Sequence, residues 1–370
     1  MAPSTTPPTS VRRVKNIARY AIGCGAIADL EPLTKAQAAG GGDGTVCFVD
    51  EYFRTNPGPL GRFASGAGVQ TIFVPTDVEP TTDYVDRLVD SIRSGPRPNP
   101  SCLVGIGGGI AMDTCKAVSN LLGNDGRAED YQGWDLVKRP GVFKVAVPTI
   151  SGTGAEASRT CVLTNPRTKL KLGMNSDHTV FDFVVMDPNL TRTVPRDQYF
   201  FTGMDAYIHC MESLAGSHRN AIGDAYSRET LRMCKDVFLA QDMMDDRYRE
   251  QLMVASYLGG CAIATSYVGL VHPLSAALSV VLGLHHCVAN CVVMRSMQPF
   301  YPEAFQEFWD MADRQAVAVP SIDGESLDAA TLDALHDATL MHERPLANAL
   351  GADFREVLTK QATGQIFRRM

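Results

Sequence analysis

The first half of the chain alternates short apolar runs with amphipathic stretches. Thr45 to Val49, ending in Asp50, and CLVGIG from Cys102 are apolar throughout, as strands covered on both faces are. RYAI before a Gly23/Gly25 turn, Thr71 to Pro75, Lys144 to Pro148 and Phe183 to Asp187 are further short runs of the same kind. Between them, PTTDYVDRLVDSIRS brings Val85, Leu88, Val89 and Ile92 onto one face, which predicts a helix. GGGIAMDTCKAVSNLL opens a second helix on glycines, directly after CLVGIG. Strands alternating with helices up to about Pro188 predict an α/β layer with a parallel sheet.

From Pro195 onward the period changes. DQYFFTGMDAYIHCMESLAGS, AYSRETLRMCKDVFLA and RYREQLMVASYLGGCAIATSYVGLV carry helical periodicity and little strand signal. The chain is therefore expected to have a proline-rich disordered tail at 1–10, an α/β nucleotide-binding domain at 11–194 and an all-α metal-binding domain at 195–370.

Composition narrows the class. Of 370 residues, 45% are hydrophobic and 20% charged, as in a soluble globular protein, and the length allows a sizeable core. A net charge of −7 argues against nucleic acid or an anionic membrane as the main partner. The N-terminus has no signal-peptide apolar region and no stretch reads as a membrane span, so a cytoplasmic location is expected. Ten cysteines without a CxxC pair read as reduced core thiols. Cys287 and Cys291 are assigned to packing as well.

The chemistry concentrates between Phe201 and Asn290. Asp205 and His209 are four apart, which places a carboxylate and an imidazole on one helix face. His272 and His286 follow, with Gly283 between them as a helix break. Three imidazoles and a carboxylate suit Fe²⁺ or Zn²⁺ and suit Ca²⁺ or Mg²⁺ poorly. The same residues also fit core histidines held by neighbouring carbonyls, and spacing alone leaves both open.

A second constellation lies upstream. Gly107, Gly108 and Gly109 end a strand and open a helix, where free N–H groups and close backbone approach favour a diphosphate. A packing turn would use the same glycines, and the spacing is not GxGxxG. Asp50 ends an earlier strand, where an acid can hold ribose hydroxyls and repel a 2′-phosphate, favouring NAD over NADP. The loop PTISGTGAEAS, with Thr149, Ser151 and Thr153, follows another strand. A metal and a nucleotide together suggest hydride chemistry on an alcohol. Neither a GxSxG elbow nor a Walker lysine is present to suggest acyl or P-loop phosphoryl transfer.

GGGIAMDTCKAV, PTISGTGAEAS, MDPNL, TGMDAYIHCMES and the His272/His286 pair followed by VAN resemble the iron-containing (group III) alcohol dehydrogenase family. The resemblance runs from YAIGCGAIADL to RPLANALGADFREVL, nearly the whole chain. It implies a Rossmann-like domain, a helical domain and a metal in the cleft between them. The implied ligands are Asp205, His209, His272 and His286. The implied cofactor positions are Asp50, Gly107 to Gly109, Asp113, Thr149, Thr153 and Lys171, with Ser151 in the same loop.

Within the family, TISGTGAEASRT, YQGWDL, NSDHTVFD and FTGMDAYIHC look most similar to the 3-deoxy-manno-octulosonate 8-oxidase branch. That implies oxidation of a primary alcohol on a sugar acid, with Trp134, Arg159 and His285 as candidate contacts, and a homo-oligomer, a dimer, as the assembly. The chain departs from the family pattern at Ala276, where many members carry a histidine, and at Ile110, where a serine is usual. His285, beside His286, is then the candidate proton-relay residue, with a relay through water, the substrate's own hydroxyls and the cofactor ribose as the alternative. Competing readings are an enzyme of the dehydroquinate synthase or glycerol-phosphate dehydrogenase kind, and a non-catalytic nucleotide-binding relative. The first would be expected to carry a Lys/Arg cluster in the metal window, which the sequence lacks.

Overall fold

The computed structural model describes residues 13–370, and the tail expected at 1–10 lies outside them. The described residues form two compact units, 14–193 and 194–370 with Arg13. No single helix among them is long and apolar enough to cross a membrane.

The first unit is built on a six-stranded sheet. Its strands are β1 (Arg19–Ile22), β2 (Thr45–Asp50), β3 (Val69–Val74), β4 (Cys102–Gly107), β6 (Lys144–Pro148) and β9 (Phe183–Met186), in the order β1-β9-β6-β4-β2-β3. Every pairing in it is parallel. All residues of β4 and β6 are buried, which is why they read as unbroken apolar runs. Helices α1 (Leu30–Ala39), α2 (Thr82–Ser94) and α3 (Gly109–Gly123) belong to this unit. In α2 the predicted face, Val85, Leu88, Val89 and Ile92, is the buried one, and Thr81 Oγ1 caps its start by accepting from Tyr84 N.

The strand order places a switch point between β2 and β4. From β2 the chain steps out to β3, then returns to the other side of β2 and continues through β6 and β9. Ligands of open parallel sheets bind outside the carboxyl ends at such a point. Here those ends are Asp50 and Gly107.

A second, three-stranded sheet was not legible in the sequence. It comprises β5 (Gly133–Trp134), β7 (Thr160–Asn165) and β8 (Leu170–Asn175), in the order β5-β8-β7. β7 alternates half-buried and buried residues, and β7 and β8 pair antiparallel. Lys171 and Gly173 dilute the apolar alternation of β8, so its strand pattern falls below notice.

The second unit is helical, as the change of period predicts. Its helices include α4 (Arg196–Ala215), α5 (Ala221–Phe238), α6 (Asp246–Ser266), α7 (Val271–Leu282) and α8 (His286–Met294). Every residue of α4 from Tyr199 to Ser213 is buried. A helix buried on all sides belongs at the centre of a core, and Gly203 leaves no room for a β-carbon beside Phe238. Asp205, His209 and Glu212 are carried into that core on α4. Buried charge needs partners, so these three residues define where chemistry can sit.

Candidate metal and nucleotide sites

Asp205 is wholly buried, and its ion-pair partners among the described residues are imidazoles. Its Oδ1 lies 3.4 Å from His209 Nε2 and 3.3 Å from His272 Nε2, and its Oδ2 is 3.8 Å from His286 Nε2. Donor atoms of Asp205, His272 and His286 lie within 4.8 Å of one another, close enough to share one ion. His209 faces the same carboxylate with its ring stacked on His272, centroids 4.7 Å apart, but it is outside that compact trio. Side-chain exposure rises from 1% at Asp205 through 4% and 11% at His209 and His272 to 28% at His286. The cluster is closed at its base and open at His286.

Local sequence explains how the histidines arrive. Val271 begins α7, so Pro273 falls in the first helical turn, where a missing N–H costs nothing. His272 therefore keeps its place at the start of the helix. Gly283 ends α7 in the left-handed region at φ 72°, and α8 starts at His286.

Two residues that the sequence reading did not single out complete the site. His272 Nδ1 is 2.5 Å from Glu212 Oε2, while Glu212 Oε1 accepts from Val271 N at 2.5 Å. Asn290 Nδ2 donates to Asp205 Oδ1 at 2.7 Å. The available signals were helical spacing: Glu212 is seven residues after Asp205, and Asn290 four after His286.

The electrostatics follow from burial and these contacts. Burial alone would raise the Asp205 carboxyl, but His209, His272 and His286 together hold it well below the usual carboxylate range. Burial pushes His209 down to about 4, against the pull of Asp205. Burial also opposes charge on His272, yet Glu212 and Asp205 overcome it and push that imidazole up to about 9.

The donor set fits a divalent cation. Among the described residues no lysine or arginine pairs with the buried Asp205 carboxylate and no hydrogen bond reaches the buried His272 Nε2, and a metal at that point satisfies both. His272 also shows the carboxylate–histidine arrangement that supports metal ligands.

His285 is exposed at the N-cap of α8. Ala276 is buried on α7.

In the first unit, Asp50 and the glycine loop meet at the switch point. A β-carbon on Gly107 would lie 3.0 Å from Asp50 Cβ, and Gly107 has φ 148°, so glycine is required there. A β-carbon on Gly108 would strike Ile150 at 2.9 Å, so the loop after β6 closes directly over the glycines. Thr149 N donates to Gly107 O, and Gly108 leaves the start of α3 without a side-chain cap. Ser151 Oγ in this loop is buried without a hydrogen-bond partner among the described residues. Uncapped helix N–H groups and an unused hydroxyl suit an anionic diphosphate.

The remaining candidates are placed as follows. Asp50 Oδ1 accepts from Tyr52 N and Thr76 Oγ1. Thr153 Oγ1 accepts from Ala155 N. Asp113 Oδ2 accepts from Val162 N, and burial pushes its carboxyl up to about 6 despite nearby Lys116. Lys171 is paired with Glu79 at 2.8 Å and is nearly buried. Arg159 bridges Asp135 and Asp177, which commits its guanidinium to protein carboxylates. Trp134 pairs with Asn175 across β5 and β8.

Comparison with known proteins gives a consistent picture. Residues 18–188 match the family model for iron-containing alcohol dehydrogenase, and residues 200–348 match its C-terminal counterpart. Sulfoacetaldehyde reductase of Bilophila wadsworthia is 29% identical over 235 residues, covering 62% of this chain and 60% of the relative. NAD-dependent methanol dehydrogenase of Bacillus methanolicus is 31% identical over 225 residues, covering 60% and 58%. The chain thus aligns with about 60% of the length of these relatives. Among solved structures, 1,3-propanediol oxidoreductase superposes with TM-score 0.82 at 20% identity, covering 97% of this chain and all of the other. Sulfoacetaldehyde reductase from Bifidobacterium kashiwanohense, solved in complex with NAD⁺, gives 0.78 at 20% identity, covering 97% and 98%.

Proposed function

The chain belongs to the iron-containing alcohol dehydrogenase family, and we propose that it is a metal-dependent oxidoreductase interconverting a primary alcohol and an aldehyde with NAD. The observation that carries this reading is the buried Asp205 carboxylate faced by three imidazoles, one of them backed by Glu212. Asp205, His209, His272 and His286 would hold Fe²⁺ or Zn²⁺. When bound, such an ion supplies Lewis acidity that favours the alkoxide form of an alcohol.

The protein's own groups divide the remaining work. The uncapped start of α3 and the Thr149–Thr153 loop would bind the cofactor diphosphate, with Asp50 at the adenosine ribose hydroxyls. The open side at His286 would admit the substrate, and the alcohol proton would leave through the exposed imidazole of His285.

The substrate class proposed is a polyhydroxylated sugar or sugar acid. Its support is the likeness of YQGWDL, SRT and NSDH to the octulosonate oxidase branch. These segments meet in space: Arg159 bridges Asp135 and Asp177, and Asp135 N donates to Asn175 O.

The test is an anaerobic assay of purified protein with Fe²⁺ or Zn²⁺, NAD⁺ and a panel of sugar acids, polyols and short alcohols, read at the nicotinamide absorbance. Metal-dependent reduction that is strongest with the sugar acids is expected. Turnover that survives complete metal removal would overturn the mechanism, and turnover confined to short alcohols would overturn the substrate class.

A further inference from the structure

We infer that Glu212 is a positioning residue that selects the Nδ1-protonated tautomer of His272 and so keeps its Nε2 lone pair aimed at the ion beside Asp205. This rests on the reading of Asp205, His209, His272 and His286 as a metal site. The geometry is specific. Glu212 is fully buried on α4, and each of its oxygens has one close nitrogen: Val271 N donates to Oε1, and His272 Nδ1 lies 2.5 Å from Oε2. Tyr301 is close by, and its hydroxyl accepts from Leu270 N.

Metal ligation requires a neutral imidazole, which carries one ring proton, and the hydrogen bond at one nitrogen decides which nitrogen has it. A carboxylate accepts only, so it draws the proton to Nδ1 and leaves Nε2 free as a ligand. Nε2 is the nitrogen that faces Asp205, at 3.3 Å. The Val271 contact adds a second constraint. It belongs to the residue before His272 and to the first turn of α7, so one side chain fixes both the helix start and the ring.

This arrangement explains why a carboxylate is needed rather than an amide. Two donors converge on Glu212, and an amide offers one acceptor oxygen and one NH₂. Glu212→Gln would oppose its NH₂ either to Val271 N–H or to His272 Nδ1. The second choice draws the His272 proton to Nε2 and blocks the metal-facing nitrogen.

The experiment compares wild type with Glu212→Gln by competition against a chromogenic chelator for Zn²⁺, with the metal-free melting temperature as a folding control. Zn²⁺ affinity is expected to fall about 10- to 100-fold in the variant. Equal affinity in the two folded proteins would overturn the inference while leaving the metal site standing. Wild type that fails to retain Zn²⁺ would overturn the functional reading and the inference with it. Should the variant not fold, long-range ¹H–¹⁵N spectra of Zn²⁺-loaded, [¹⁵N]histidine-labelled wild type decide alone. A protonated Nδ1 and metal-shifted Nε2 on His272 are expected, and a protonated Nε2 would overturn the inference.

Discussion

The side-chain amide of Asn290 donates to Asp205 Oδ1 at 2.7 Å, and both residues are wholly buried. Asn290 lies one turn after His286, so α8 supplies both a candidate ligand and the donor that holds the carboxylate. Asn290→Leu keeps the volume and removes that donor. The metal-free variant should lose about 2 kcal/mol of stability, the scale of a hydrogen bond to a charged group. Denaturant midpoints would measure the loss, and an unchanged midpoint would show that Asp205 does not depend on this amide.

Asp50 should select NAD over NADP. Its carboxylate stands at the switch point beside Gly107, where a 2′-phosphate would meet like charge. Asp50→Gly is expected to narrow the ratio of kcat/KM for the two cofactors by at least about tenfold, ~1.4 kcal/mol. An unchanged ratio would leave Asp50 as the acceptor for Tyr52 N and Thr76 Oγ1 only.

Asp113 should make the first unit less stable as pH rises from about 4 to 6. Burial raises its carboxyl from 3.8 to about 6, so the folded state binds a proton more tightly than the unfolded state. The stabilisation is complete below the unfolded value and is lost as pH rises through the folded one. Asp113→Asn, which can still accept from Val162 N, should exceed wild type by on the order of 2 kcal/mol at pH 8. The difference should vanish below about pH 3. Parallel stability–pH curves for the two proteins would contradict this.

His285 is exposed one residue before His286, a position from which an imidazole can pass a proton to solvent. His285→Asn should lower turnover by roughly 10²-fold. Metal content, read by elemental analysis, should stay at the wild-type level. Near-normal turnover would remove His285 from the proton path.

Tyr267 ends α6 with φ 61° and ψ 165°, a region reserved almost entirely for glycine. Its ring lies 5.3 Å from that of His218, and its carbonyl accepts from Ser213 Oγ. Tyr267→Ala keeps the strain and loses the ring, whereas Tyr267→Gly loses both. The glycine variant should therefore be the more stable of the two by about 1 kcal/mol or more, the reverse of their usual order. Melting temperatures in the usual order would show that the strain is relaxed elsewhere.

Much of the architecture follows from local pattern alone. Continuous apolar runs made β2, β4 and β6 readable because both faces of those strands are covered, and the four-residue step from Asp205 to His209 placed both on one face of α4. A helix or strand repeats at a period that the chain carries in one dimension, so element type and facing residues survive without the fold. Partnership does not. Glu212 and His272 are sixty residues apart, and Asn290 and Asp205 eighty-five, so only the packing of α7 and α8 against α4 decides that they meet. The same holds for Lys171, whose charge is met by Glu79 across ninety-two residues, and for Arg159, committed to Asp135 and Asp177. The sequence determined which side chains could carry the chemistry, because residue type and helical period are local properties. The tertiary structure decided which of them are buried together, because desolvation and hydrogen bonding depend on neighbours in space.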